Sequence, residues 1–141
     1  MTLAARLSLV GLARKYDALI ITDDVYDFLQ WPATSSPSPS VLQGLKTALL
    51  PRIVDLDRVV RRENRDEDDG FGNAVSNGSF SKIVGPGVRT GWAEASPKFI
   101  YGLSQCGSSR SGGAPSQLTA TMINELLASG ELVSILLFSR F

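Results

Sequence analysis

Residues 18–22, ALIIT, form a short unbroken apolar run that ends at two acidic residues, Asp23 and Asp24. A run of this length without alternation is expected of a strand buried on both faces. Just ahead of it, residues 3–16, LAARLSLVGLARKY, place Leu3, Leu7 and Val10 on one helical face, with Arg6, Arg14 and Lys15 elsewhere. Gly11 weakens this helix slightly. Helix, short link and buried strand make half of an α/β unit. The fold class expected is therefore α/β, a mostly parallel sheet flanked by helices.

The rest of the chain alternates between loop signals and short elements. Residues 31–40, WPATSSPSPS, are Pro/Ser-rich and read as loop. Residues 41–57 read as a short helix followed, after Pro51, by an extended RIVDL. The charge run RRENRDEDDG (61–70) reads as a solvated loop rather than a carboxylate metal site. Residues 74–81 are expected to be a strand leading into a loop, and 88–95 a second strand. Ser96-Pro97 has the form of an N-cap and first helical position, opening a helix over KFIYGLSQCG. Residues 108–116 read as loop, and Ser116 is expected to cap a last helix closed by Gly130.

Composition narrows the chemistry. The 141 residues suffice for one domain with a real core. Lys+Arg equals Asp+Glu at 14 each, so nothing points to nucleic acid. The absence of histidine removes a His-based triad and His-ligated metal, and one cysteine removes a disulfide framework. That cysteine usage fits a reducing compartment, so a cytoplasmic protein is expected. The N-terminus lacks a signal-peptide profile, and the longest apolar run, 132–138, is too short to cross a bilayer.

The densest chemistry lies in 76–92, SNGSFSKIVGPGVRTGW. Pro86-Gly87 suits the central positions of a type II turn, which would fold Arg89 back towards Lys82. Arg89 offers a planar fork that grips phosphate in two places, and Ser79 and Ser81 add hydroxyl donors. A lysine beside a phosphorylated ligand serves as a counter-charge or forms a Schiff base with a carbonyl. Asp23 and Tyr26 follow the buried strand, where open α/β sheets place ligands. An acid, a phenol, a lysine and a phosphate grip together match pyridoxal 5'-phosphate. Plainer readings stay open: a turn cap for Asp23, a salt bridge for Arg89, a core aromatic for Tyr26. Phe28, Trp31 and Trp92 read as packing residues, and Cys106 as a small buried hydrophobe inside a helix.

The ordered set DDVY, SFSK and PGVRTG resembles the fold-type I pyridoxal-phosphate enzymes of aminotransferase class I/II, in particular the aminoadipate and kynurenine aminotransferase branch. The resemblance spans residues 6–30 and 71–131, and 41–60 loosely. It implies that Asp23 keeps the pyridine nitrogen protonated and Tyr26 bonds the ring oxygen. It also implies that Lys82 holds the cofactor covalently and moves the α-proton, while Ser79, Ser81 and Arg89 hold the phosphate. It gives Asp24 no role. Implied substrates are an amino acid and a 2-oxo acid, and the parent family is homodimeric, with RSGGAPS near a neighbouring subunit's phosphate or a plain loop. Residues 1–131 would be part of the large domain, with 31–70 a loop-rich insertion and 132–141 an atypical tail. A chain with this coverage is expected to be a central fragment, inactive alone. A non-catalytic remnant, an aminotransferase-like regulatory domain and a lyase on the same scaffold share these motifs.

Overall fold

The computed structural model describes residues 1–27, 51–63, 70–111, 116–132 and 134. Expectations for Phe28, Trp31, 31–50, 64–69, 112–115 and 135–141 lie outside them. The chain forms two compact units. The first takes Met1–Asp24, Pro51–Gly78 and Gly91–Ala114; the described residues of the second are 25–27, 79–90, 116–132 and 134.

In the first unit, α1 (Leu3–Lys15) starts at Thr2, whose hydroxyl accepts the Ala5 N–H at 3.3 Å. Arg14 and Lys15 sit in its last turn, where cations suit the helix dipole. Val10 and Ala13 are its buried residues, while Leu3 and Leu7 stay largely exposed, so only part of the expected apolar face is covered by described residues. β1 (Ile20–Asp23) alternates between half-buried and exposed positions, and Ile21 is 70% exposed. The expectation of burial on both faces fails here. Ile20 packs against the core, and no described residue covers Ile21 to a comparable degree.

α2 (Ile53–Glu63) corrects the extended reading of RIVDL. Asp55 reaches back to the Arg52 backbone N–H at 3.1 Å, the reciprocal contact of a capping box. Ile53, Val54 and Leu56 then join Val10 and Ala74 in the core, with Leu9, Ile20 and Val60 packed against it. This helix buries a face that an isolated β-branched pair does not announce. Its start also ties to α1, since the Arg6 guanidinium donates to the Pro51 carbonyl at 2.8 Å.

β2 (Ala74–Ser79) pairs in parallel with β1, in the register Ile20↔Ala74 to Asp23↔Asn77. β3 (Gly91–Glu94) lies on the other edge of β2, giving the order β1-β2-β3. Gly78 is required by this packing, because a Cβ there would overlap the indole of Trp92. Trp92 is thus a packing residue, as expected. Buried Asp57 accepts the Asn73 N–H at 3.1 Å and faces Arg14 at 3.6 Å, so its charge is compensated.

Arg52 and Arg58 clamp α2 to β3 through Glu94 at 2.9 and 2.7 Å, and Arg52 also grips Asp55 at 3.0 Å. Hydrogen bonds from the two arginines hold the Glu94 carboxyl below its ordinary value against burial. Burial pushes the Asp55 carboxyl up, but Arg52 and Arg58 outweigh it and leave it depressed. Depressed carboxyls stabilise the fold fully above their unfolded values of about 4 and lose that contribution as pH falls through the folded ones. The urea midpoint is therefore expected to drop as pH falls below about 4, and less steeply in Glu94→Gln. An identical acid slope in that variant would assign the effect elsewhere.

Ser96 caps α3 (Pro97–Ser104) as expected, accepting the Phe99 N–H at 3.1 Å and donating to the Phe71 carbonyl at 2.5 Å. The helix ends earlier than expected. A four-residue turn of helix, α4 (Gly107–Arg110), occupies part of the expected loop. Cys106 stands at its N-cap position and is exposed, which corrects the buried reading: the residue sits in the break between helices instead of on a packed face.

In the second unit, α5 (Gln117–Ala128) follows Ser116. The Ser116 side chain makes no cap bond; its carbonyl accepts the Ala120 N–H at 3.0 Å. Gly130 has a φ of +76°, the left-handed stop expected of it. Ile123 is buried on the helix. No helix among the described residues is long and apolar enough to cross a membrane.

Candidate functional site

The first unit holds Asp23 at the end of β1. Its register partner on β2 is Asn77, whose amide donates to the Asp23 carboxylate at 3.3 Å. Asp23 is exposed. Its neighbour Asp24 points into the sheet ends and accepts the hydroxyls of Thr22 and of fully buried Ser76, both at 2.5 Å. Asp24 thus pins β1 to β2, which fixes the backbone immediately after Asp23. Sequence reasoning assigned nothing to Asp24 or Asn77. Their roles depend on the parallel register, which no local pattern encodes.

The second unit holds Ser79, Ser81, Lys82, Arg89 and Tyr26. The Phe80 carbonyl accepts the backbone N–H groups of Ile83, Val84 and Gly85 at 3.2, 2.9 and 3.1 Å, which curls the chain after β2. Phe80 N–H in turn donates to the Thr90 carbonyl at 3.0 Å and closes the loop. Pro86–Val88 form a 3₁₀ turn. The expected type II turn is absent: Gly87 is not among the glycines with positive φ. The left-handed residue is Arg89, with φ of 46° and ψ of 36°. Proline still presets the turn, and the left-handed residue comes two positions later than the Pro-Gly pair implies.

The reversal has the expected result for three residues. The Arg89 guanidinium donates to Ser81 Oγ at 3.3 Å and to the Pro86 carbonyl at 3.0 Å. The Ser81 N–H donates to Ser79 Oγ at 3.1 Å. Two hydroxyls and a guanidinium therefore converge. Thr90 Oγ1 donates to the Val88 carbonyl at 2.9 Å and meets Thr119 Oγ1 of α5 at 3.2 Å, which anchors the turn. Lys82 is exposed, and its Nζ lies 5.3 Å from the centre of the Tyr26 ring. The unit thus brings together Ser79, Ser81 and Arg89, and pairs Lys82 with Tyr26. Asp23 belongs to the first unit, where its partner is Asn77.

The chain aligns over 99% of its length with the crystal structure of aminotransferase Aro8 from Candida albicans, with a TM-score of 0.73 and 26% identity. The fold is that of an aminotransferase segment. The chain covers 29% of that structure. An uncharacterized protein of Saccharomyces cerevisiae is 42% identical over 132 residues, 92% of this chain and 27% of the relative. An aromatic amino acid aminotransferase of Schizosaccharomyces pombe is 31% identical over 88% of this chain and 25% of its own length. An L-tyrosine:2-oxoglutarate aminotransferase of Serpula lacrymans is 36% identical over 89% of this chain and 22% of its own. The chain spans about a quarter of the length of the curated relatives it matches. No protein-family profile matches the chain.

Proposed function

We propose that this chain is the part of an aminotransferase large domain that anchors pyridoxal 5'-phosphate, within residues 1–131. The observation that carries the reading is the convergence of Ser79, Ser81 and Arg89 in one turn, next in sequence to Lys82. Two hydroxyls and a guanidinium make a donor set suited to a phosphate dianion, so these residues fit the group. Lys82 would hold the cofactor covalently, and Tyr26, close to it, would donate its phenol hydroxyl to the ring oxygen. Asp23 would accept a hydrogen bond from the protonated ring nitrogen, with Asn77 steadying its carboxylate. When bound, the cofactor supplies an electron sink for the substrate's α-carbon. The Lys82 amine would then move the proton at that carbon.

The reaction proposed is amino-group exchange between an amino acid and a 2-oxo acid. The names of the relatives favour aromatic donors, and the SFSK and PGVRTG motifs favour the aminoadipate and kynurenine branch; both donor classes belong in a first panel. A homodimeric whole protein is part of the same reading. The described residues leave Lys82, Asp23 and Tyr26 exposed, so they do not supply the enclosed pocket that turnover needs. The 141-residue chain by itself is accordingly proposed to be inactive.

The chain has four lysines, Lys15, Lys46, Lys82 and Lys98, which makes the cofactor assignment directly testable. Incubation with pyridoxal phosphate, borohydride reduction and peptide mapping is expected to place the label on Lys82, with no transamination of added amino acids. Label concentrated on another lysine, or spread evenly over all four, would defeat the assignment.

A further inference from the structure

The left-handed backbone of Arg89 (φ 46°, ψ 36°) is unfavourable for a residue with a side chain, so its surroundings must hold it there. The peptide joining Val88 to Arg89 is planar, which links the direction of the Val88 carbonyl to the φ of Arg89. The Thr90 hydroxyl donates to that carbonyl at 2.9 Å. This bond reaches across Arg89 from one flanking residue to the other, and closing it restrains the two backbone dihedrals between them. Thr90 is itself fixed, because its own carbonyl accepts the Phe80 N–H at 3.0 Å.

Thr90 Oγ1 also lies 3.2 Å from Thr119 Oγ1, in the first turn of α5. Each hydroxyl carries one proton. Thr90 gives its proton to the Val88 carbonyl, so Thr119 is the donor within the pair. Thr119 Oγ1 is also 3.1 Å from the Ser116 carbonyl, but that carbonyl already accepts the Ala120 N–H at 3.0 Å. A directed chain results, from Thr119 to Thr90 to the Val88 carbonyl. Both threonines are half-buried, which limits competition from water, and accepting one hydrogen bond strengthens the bond that Thr90 donates. All of these residues belong to the second unit.

We infer that Thr90 and Thr119 are positioning residues for Arg89: their hydroxyl chain holds its backbone left-handed and so keeps its guanidinium at Ser81 Oγ. Without the chain, Arg89 relaxes to the ordinary right-handed or extended regions and the fork leaves Ser81. Valine would fill the space at either position, so the hydroxyl is what the geometry uses. The consequence for phosphate recognition rests on the cofactor reading above; the consequence for the backbone does not.

The test has two readouts on the isotopically labelled 141-residue chain. The first needs no cofactor: a positive φ gives Arg89 a strong nuclear Overhauser effect between its own amide and α protons. That signal is expected in the unaltered chain and in Thr119→Ser, weakened in Thr119→Val and lost in Thr90→Val. The second compares the affinities of pyridoxal phosphate and of pyridoxal, which lacks the phosphate. Thr119→Val is expected to weaken pyridoxal phosphate binding roughly fivefold, the loss of one hydrogen bond, to leave pyridoxal binding unchanged, and to be rescued by Thr119→Ser. An Arg89 signal that is absent from the unaltered chain, or that persists in both valine variants, would overturn the inference. So would an equal loss of both ligands in Thr119→Val, which is damage to the fold instead of to the grip. If the backbone signal responds as expected but the unaltered chain binds both ligands equally, the phosphate grip proposed above fails while the role of the two threonines in holding Arg89 stands.

Discussion

Asp23→Ala is expected to lower turnover by roughly two to three orders of magnitude while cofactor binding falls far less. Measured in a protein of the relatives' length that carries this segment, the split between the two effects is the informative quantity. The reasoning starts from charge. In the proposed site Asp23 faces the pyridinium, and removing one member of a desolvated, charge-assisted pair costs on the order of 2–5 kcal/mol. If that loss falls mainly on the transition state, it appears as rate, at about 1.4 kcal/mol per decade. The phosphate contacts proposed for Ser79, Ser81 and Arg89 are untouched by the change, so retention should persist. Asn77→Ala should show a weaker version of the same pattern, because it removes only the 3.3 Å hydrogen bond to the carboxylate. An Asp23→Ala protein with near-normal turnover would show that another acid performs this task.

Gly78→Ala is expected to be the most damaging single methyl in the described fold. The added Cβ would overlap the six-membered and pyrrole edges of Trp92, a rigid ring that cannot swing aside as the end of a flexible chain can. Relief requires moving β3 or rotating the indole, at a cost of about 3 kcal/mol or more. That corresponds to a fall in melting temperature on the order of 10 °C for a chain of this size. Gly11→Ala is the matched control: its Cβ meets nothing within 4 Å, and alanine is the better helix former. The clash is specific to the indole, so the penalty of Gly78→Ala should shrink on a Trp92→Leu background. An equal penalty on both backgrounds would move the cause from the ring to the strand backbone.

The elements legible in the sequence were those with chemistry at their boundaries. Ser96-Pro97 announced α3 because a hydroxyl cap followed by proline has few other uses. The strand 74–79 and the reversal that returns Arg89 to Ser81 were readable for the same reason. α2 was missed because Ile53-Val54 after a proline reads as extended. The signal that mattered was Asp55, three residues beyond Arg52 and able to cap its N–H. The turn at 86–89 was found but wrongly typed, since Pro-Gly favours a left-handed glycine and the structure puts that conformation on arginine instead. Cys106 was placed inside a helix because nothing local marks the break after Ser104. Asp24 and Asn77 could not be read at all, because their partners lie on another strand and only the register brings them together.

Arg89 sits in a backbone conformation that costs an ordinary residue on the order of 1 kcal/mol and glycine nothing. Two selective pressures therefore act on this position in opposite directions. Improvement by thermal endurance alone would drift towards glycine or asparagine here, gaining stability and discarding the guanidinium. Keeping arginine means accepting a slightly less durable loop in return for a fork held where Ser81 can meet it. If Arg89 holds the phosphate as proposed, folding and recognition make competing demands on this one side chain, and thermostabilising designs that ignore the conflict would erase the proposed grip while raising the melting temperature.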